Sequence, residues 1–327
     1  MKLLRKFLLI LFLLNTFTVL YAQYDFSQGA VKERLQKDMN VLAHDSLLGR
    51  EAGSASEIKA RDYIARQFED IGLKKPVGDT SYFQKFISGS ARYYYNVIGL
   101  LDNKAKKTVV VGAHYDHVGL GYFGSRYGSG QIHNGADDNA SGTATIIELA
   151  RYFSVNTPKK YNYLFIAFSA EEKGLLGSYF FVNSPLAKQY QIAYMLNFDM
   201  VGRMKKGLRK KIILFAYGSS PEWKELIKNN KPKQIKLKKL KFGPPFSDHA
   251  PFYEKQIPVL YFTTGLHQDY HTPFDDIEFI NYEGMLRIVE YLNKLIPEIE
   301  KTEQINFRKC KNGEVYRGYF YSLMMML

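Results

Sequence analysis

Apolar runs of strand length alternate with helical patterns along most of this chain, and the alternation narrows the possible folds more than any other feature. The run Lys-Thr-Val-Val-Val-Gly-Ala at 107–113 lacks polar alternation after Thr108, which is typical of a strand buried on both faces. Such a pattern predicts a largely parallel sheet with helices on both faces. The strands are expected at 94–101, 107–113, 161–168, 192–198, 211–217 and 258–262.

Apolar residues at helical spacing mark the segments between the strands. The second predicted helix has Ser56 as its N-cap and ends at Gly72. The others are expected at 27–43, 141–152, from about 174, from Pro221, at 249–255 and at 282–299.

The first 22 residues have the pattern of an export signal. Lys2, Arg5 and Lys6 precede an apolar stretch from Phe7 to Leu20, which is short for a membrane span, and Ala22 precedes a plausible cleavage point. We therefore expect a periplasmic or secreted protein with no stable membrane span after cleavage; an uncleaved anchor is the alternative.

Charge and cysteine content restrict the possible partners and metal sites. The formal net charge is +13, and removal of the three cations of the signal leaves +10. Much of the excess lies between Arg203 and Lys241, where a solvated lysine-rich face is the better explanation, because no nucleic-acid-binding module accompanies it. The single cysteine, Cys310, excludes an internal disulfide and a multi-cysteine metal site.

Acidic and histidine residues follow the predicted strands. In an open parallel sheet, functional groups collect at the carboxyl ends of the strands. Imidazole and carboxylate ligands gathered there suit zinc. The candidates are His114, Asp116, Asp137, Glu171, Glu172, Asp199 and His271.

Each candidate has an ordinary explanation when it is taken alone. In His114-x-Asp116, the carboxylate could fix the tautomer of a metal-binding imidazole, but a lone His-x-Asp is weak evidence. Glu171 and Glu172 could simply favour a helix N-terminus, and Asp199 could cap a turn. Consecutive Ser247-Asp248-His249 cannot form a serine-protease relay.

Taken in order, these motifs resemble those of the M28 family of zinc aminopeptidases. The motifs are His-x-Asp, Gly-Ala-Asp-Asp-Asn-Ala-Ser-Gly, Ser-Ala-Glu-Glu-x-Gly-Leu-x-Gly-Ser, Asn-x-Asp-Met-x-Gly, Ser-Asp-His and His-Thr-Pro-x-Asp. The resemblance begins near Leu47 and implies a mixed sheet flanked by helices. With the alternation of elements, it predicts a single-domain three-layer αβα sandwich with a mixed, largely parallel central sheet at 23–302.

The resemblance also implies the site. Two zinc ions would be bridged by Asp137, with His114 and Asp199 completing the ligands of one ion and Glu172 and His271 those of the other. Glu171 would be the general base, and Asp116 would orient His114. Asp248 and His249 would lie behind the ligands or in the substrate pocket. His133 is interpreted as a loop residue, and His117 and His267 have no motif support as ligands.

The expected activity is removal of single residues from peptides with a free N-terminus. A glutaminyl cyclase on the same scaffold, a non-catalytic binding module and a carboxypeptidase-like enzyme are the alternatives. Lys173 to Ser178 directly follows the glutamate pair, as in the peptidases, which favours peptide hydrolysis. Residues 303–327 are expected to form a C-terminal tail with a hairpin turn at 311–314.

Overall fold

A computed structural model describes residues 24–310, apart from 77, 79, 90–91, 157–158, 208–209, 233 and 244–245. Its strands are β1 (Phe83–Ser88), β2 (Arg92–Leu101), β3 (Lys107–His114), β4 (Tyr161–Phe168), β5 (Gln191–Phe198), β6 (Lys211–Phe215), β7 (Lys236–Lys239) and β8 (Val259–Thr263). Its helices are α1 (Gln28–Leu42), α2 (Ala55–Ile71), α3 (Gly142–Val155), α4 (Leu176–Asn183), α5 (Pro185–Lys188), α6 (Glu222–Asn229), α7 (His249–Glu254) and α8 (Tyr282–Lys301).

The strands form one mixed sheet in the order β1-β2-β4-β3-β5-β8-β6-β7. At its centre, β4, β3, β5 and β8 are parallel, while β2 joins β4 and β6 joins β8 in antiparallel fashion. Because the four central strands point the same way, the loops after their last residues meet at one edge. The predicted α/β fold with a mixed sheet between helices is confirmed.

Side chains that alternate along the central strands enter two separate cores. Val109 and Val111 of β3 belong to a core with residues of α1, α2, α3 and α8. Val110, between them, belongs instead to a second core that includes Phe181 of α4 and Phe252 of α7. Burial on both faces therefore explains why β3 has no polar alternation.

Two edge strands escaped prediction. β7 consists of Lys-Leu-Lys-Lys and exposes all three lysines, so it has no apolar run to reveal it. Lysines are common on edge strands, where they discourage pairing with other chains. β1 lies at the other end of the sheet and pairs antiparallel with β2. The second helix also differs, since its N-cap is Ser54, whose hydroxyl accepts the N–H of Glu57, and not Ser56.

The chain beyond α8 packs back onto the domain. Arg308 donates its backbone N–H to the carbonyl of Ser219 at 2.8 Å, and Cys310 is buried with its N–H bound to the Tyr253 hydroxyl. Residues 307–310, the first arm of the predicted hairpin, form no strand with the described residues, and the second arm lies outside them. The predicted turn at 311–314 and the predicted signal at 1–22 lie outside the described residues. Among those described, no helix combines the length and apolarity needed to cross a bilayer.

Candidate metal centre

The loops after the four parallel strands bring the acidic and histidine residues together. His114 ends β3, Glu171 and Glu172 follow β4, Asp199 follows β5, and His271 lies in the loop after β8. Three non-glycine residues beside these groups, Ala170, Met200 and His271 itself, have positive φ angles of 56–58°. Such backbone conformations cost energy and often accompany functional sites.

Two groups of possible metal ligands share one carboxylate, that of Asp138. One group contains His114, Asp138 and Asp199, and the other contains His117, Asp138, Glu172 and His271. Within each group, the ligand atoms lie within 4.8 Å of one another. Asp138 directs Oδ1 to His114 Nε2 at 3.3 Å and Oδ2 to His271 Nε2 at 3.1 Å. A carboxylate with one oxygen in each group is suited to bridge two cations.

Asp137, the predicted bridging residue, faces away from both groups. Its Oδ1 accepts the backbone N–H of Gly202 at 2.5 Å and the hydroxyl of Ser141 at 3.1 Å. Its Oδ2 lies 3.3 Å from His267 Nε2. In contrast to the prediction for Asp137, the structure places the carboxylate of Asp138 in both groups, because the backbone directs adjacent side chains to opposite sides.

The loop that presents Asp138 is held from two sides. Asp275 Oδ2 accepts the backbone N–H groups of Asp137 and Asp138 at 2.9 and 3.0 Å. Gly135 has a φ of 55°, and a Cβ there would lie 2.2 Å from the Asp138 carbonyl oxygen and 2.4 Å from the His117 ring. No side chain fits at position 135, which explains the glycine of this motif.

Arg50 ties this loop to the rest of the domain. Its side chain is buried and donates to the carbonyl groups of Leu42, Tyr115, Asn134 and Gly135. These acceptors belong to the end of α1, the segment after β3 and the loop before Asp138. One guanidinium thus donates to four carbonyl groups in three segments, whereas an ammonium group has only three N–H donors on a single nitrogen.

Replacing Arg50 with lysine is expected to lower the free energy of unfolding by about 3 kcal/mol. Hydrogen bonds from a charged group each contribute roughly 1.5–3 kcal/mol, and the shorter reach of a single ammonium group would leave some buried carbonyls unpaired. Urea unfolding of the metal-free protein measures this change. Arg66→Lys, at an exposed position of α2, is the matched control and should change stability by less than about 0.5 kcal/mol. Equal stability of the two variants would contradict the role given to Arg50.

Backbone acceptors select the tautomer of two histidines. Nδ1 of His271 lies 2.7 Å from the Gly124 carbonyl oxygen, and Nδ1 of His114 lies 3.1 Å from that of Asp116. Since a carbonyl oxygen only accepts, each Nδ1 carries the proton, and a neutral ring then presents a lone pair at Nε2. Both Nε2 atoms face carboxylates, which is the arrangement of metal-binding histidines.

The Asp116 carboxylate has a different principal contact from the one expected. It lies 3.8 Å from His114 Nδ1, whose hydrogen bond goes to the Asp116 backbone instead. Its two oxygens accept the backbone N–H groups of Glu171 and Glu172 at 3.0 and 3.3 Å. Asp116 therefore holds the glutamate pair in place as well as lying beside His114.

Burial and neighbouring charges shift the pKa values of several side chains in the site. Against the effect of burial, Glu172 and Asp138 raise the pKa of His271 to about 11. The pKa of Glu172 is lowered to about 2, because His271 and His117 outweigh both burial and the charge of Asp138. Burial, together with the charges of Glu172, Asp248 and Asp199, raises the pKa of Glu171 well above its usual value. The pKa values of the two adjacent glutamates are thus shifted in opposite directions. Glu171 is shifted toward its protonated form and Glu172 toward its anion.

A ligand set of this kind fits zinc. Imidazole nitrogens and carboxylate oxygens are its ordinary protein ligands. His271 Nε2 is buried and lies 3.0 Å from Glu172 Oε1 and 3.1 Å from Asp138 Oδ2, but has no well-aligned hydrogen bond among the described residues. The ligand atoms of this group thus lie close enough together to bind one cation.

The sequence matches a known protein family. Residues 96–296 match the profile of peptidase family M28. The chain belongs to this family. It is 30% identical over 250 residues to aminopeptidase YwaD of Bacillus subtilis, a match that covers 72% of this chain and 52% of YwaD. The chain spans about half the length of the first curated relatives that it matches.

Solved structures of the M28 fold include both peptidases and a cyclase. A zinc aminopeptidase from Bacillus subtilis, BSAP, aligns with a TM-score of 0.66 at 18% identity, over 88% of this chain and 98% of that protein. A Bacteroides thetaiotaomicron glutaminyl cyclase aligns with a TM-score of 0.64 at 18% identity, over 84% of this chain and 98% of that one. These likenesses establish the fold, and they do not separate the two activities.

Three further histidines of the M28 domain have distinct surroundings. His133 is buried, with Nε2 at 2.8 Å from Ser125 Oγ and Nδ1 at 2.8 Å from the Gln131 carbonyl, as expected for a loop residue. His267 pairs with Asp137. His117, which had no motif support, lies within the ligand group of Glu172 and His271.

Glu57 is a buried acid behind the site. It accepts the N–H of Gly53 at 2.6 Å and the hydroxyl of Ser169. Burial, followed by the charge of Asp116, raises its pKa to about 8. Since the folded protein then binds a proton that the unfolded chain releases above about pH 4.5, the contribution of Glu57 to stability falls as the pH rises toward 8.

Replacing Glu57 with glutamine should remove this dependence. The amide oxygen can accept from Gly53, and the amide nitrogen can donate to Ser169. Relative to the unsubstituted protein, Glu57→Gln should gain about 1 kcal/mol for each pH unit between pH 5 and 8. Urea unfolding at pH 5 and pH 8 measures the difference, and a gap that stays constant with pH would contradict the raised pKa.

Proposed function

We propose that this chain is an exported, zinc-dependent aminopeptidase that hydrolyses the N-terminal peptide bond of peptides. The observation that carries the proposal is the pair of ligand groups joined by Asp138, with Glu171 beside them. His114, Asp138 and Asp199 would hold one zinc ion, and Asp138, Glu172 and His271 the other. The bridging role expected of Asp137 passes to Asp138. The basic and apolar pattern of residues 1–22 supports export.

Zinc bound at these positions would lower the pKa of a water molecule, polarise the scissile carbonyl and accept the free α-amine of the substrate. Glu171 would act as general base, taking a proton from the attacking water and then delivering it to the leaving amine. Its raised pKa favours proton uptake. Asp116 would keep Glu171 and Glu172 in their positions through their backbone N–H groups.

A requirement for a free N-terminus distinguishes this function from a carboxypeptidase-like activity. The purified protein with zinc should release the first residue of unblocked peptides and leave their N-acetylated forms intact. Release of C-terminal residues from the acetylated peptides would instead indicate a carboxypeptidase. Absence of any peptide cleavage with bound zinc would overturn the proposal.

A glutaminyl cyclase is the second candidate, since a solved cyclase shares this fold. Sequence similarity to YwaD supports hydrolysis over cyclisation, because YwaD is an aminopeptidase. A peptide with N-terminal glutamine separates the two reactions. Free glutamine is the product of hydrolysis, whereas a cyclised peptide that has lost ammonia is the product of the cyclase.

A further inference from the structure

His117 is a buried histidine that none of the motifs accounts for. Only 1% of its surface is exposed, and its ring meets that of His271 edge-on at 5.3 Å between centroids. Its Nδ1 lies 3.1 Å from Glu172 Oε1 and 3.8 Å from Asp138 Oδ2. Its Nε2 has no hydrogen-bond partner among the described residues. The free-energy cost of burying this imidazole is therefore offset on its Nδ1 side, where the carboxylates of Glu172 and Asp138 lie.

Four of the six distances among these ligand atoms are close to those of a zinc coordination shell. In a tetrahedral site with bonds of about 2.0–2.1 Å, neighbouring ligand atoms are about 3.3 Å apart. The contacts of Glu172 Oε1 with the two histidines are 3.0 and 3.1 Å, and those of Asp138 Oδ2 are 3.1 and 3.8 Å. A small shift of the His117 ring toward Asp138 would make these four edges nearly equal.

We propose that His117 is a fourth protein ligand at the position formed by Asp138, Glu172 and His271, so that the two metal positions of this chain are not equivalent. This inference rests on the proposed zinc-dependent function. The His117 position would be closed by four side chains, as in structural zinc sites, whereas His114, Asp138 and Asp199 leave a fourth place open. Water and the substrate carbonyl would then be activated mainly at the His114 position.

A simple hydrogen bond from His117 to Glu172 predicts a different response to substitution. In His117→Asn the side-chain amide can occupy the place of Nδ1 and still donate to Glu172, but an amide is a poor zinc ligand. In His117→Ala both interactions are lost. A hydrogen-bonding role therefore predicts that asparagine restores zinc binding relative to alanine, whereas a ligand role predicts that both variants lose it.

Zinc affinity of each variant, measured by chelator competition, tests the inference. We expect the unsubstituted protein to hold two zinc ions, and both His117 variants to bind one of them at least about 100-fold more weakly, beyond the usual effect of an outer hydrogen bond. His133→Asn, which removes a buried histidine outside the ligand groups, should keep both ions. Normal affinity in His117→Asn would overturn the inference. Absence of zinc from the unsubstituted protein would instead contradict the proposed function.

The unsubstituted protein provides a test that does not depend on the folding of the variants. In a crystal structure with zinc bound, the distance from His117 Nδ1 to the nearer ion should be about 2.0–2.1 Å. A distance above about 3 Å would show that His117 only touches Glu172, and would refute the fourth ligand while leaving the proposed activity intact.

Discussion

Asp138→Asn should lose both zinc ions and, with them, all measurable peptidase activity. Asp138 is the one carboxylate common to the two ligand groups. Replacing one of its oxygens with an amide nitrogen removes the negative charge and a ligand atom from one group. We expect zinc affinity to fall by more than about 100-fold, which exceeds the effect of altering a group outside the ligand shell.

The adjacent Asp137→Asn is the matched control for this prediction. An asparagine there can still accept the hydrogen bonds of Gly202 and Ser141 through its amide oxygen. This variant should fold and retain both zinc ions. The zinc content of the two variants is measured by metal analysis after dialysis. Release of an N-terminal residue from a peptide is the second measurement. Zinc loss in Asp137→Asn together with zinc retention in Asp138→Asn would restore the original assignment.

Glu171→Gln should retain both zinc ions and lose activity. The amide preserves the size of the side chain but cannot take a proton from water. Removal of a general base costs roughly 10²–10⁴-fold in rate. Because Glu171 lies outside both candidate ligand groups, the loss should appear in kcat at an unchanged zinc content.

Glu172→Gln supplies the contrast within the same turn. Its side chain lies 3.0 Å from His271 Nε2, so this substitution should weaken zinc binding as well as the rate. A Glu171→Gln variant with near-normal kcat, or one that also loses zinc, would contradict the division of roles between the two glutamates.

The strand ends of the site were predictable from the sequence, because double-sided burial makes the central strands continuous apolar runs. The observed β4 has the predicted bounds, Tyr161–Phe168. Parallel strands then determine that the groups after β3, β4 and β5 meet at one edge. Edge strands such as β7 lack this signal, since their lysines face solvent.

The choice between Asp137 and Asp138 depends on backbone geometry that composition does not encode. The two adjacent aspartates have the same side chain. The backbone N–H groups bound by Asp275 help to determine which carboxylate turns toward His114 and His271. His117 raises a similar difficulty. It lies three residues beyond His114, and its place beside Glu172 depends on how the chain turns after β3, which no local pattern indicates.

Anomalous diffraction above the zinc absorption edge, from crystals of the zinc-bound protein, tests the central claim most directly. We predict two peaks, both in contact with Asp138, one beside His114 and Asp199 and the other beside Glu172 and His271. Asp137 should contact neither. No peak in this region, a single peak at full occupancy, or a peak bound by Asp137 in place of Asp138 would contradict the account.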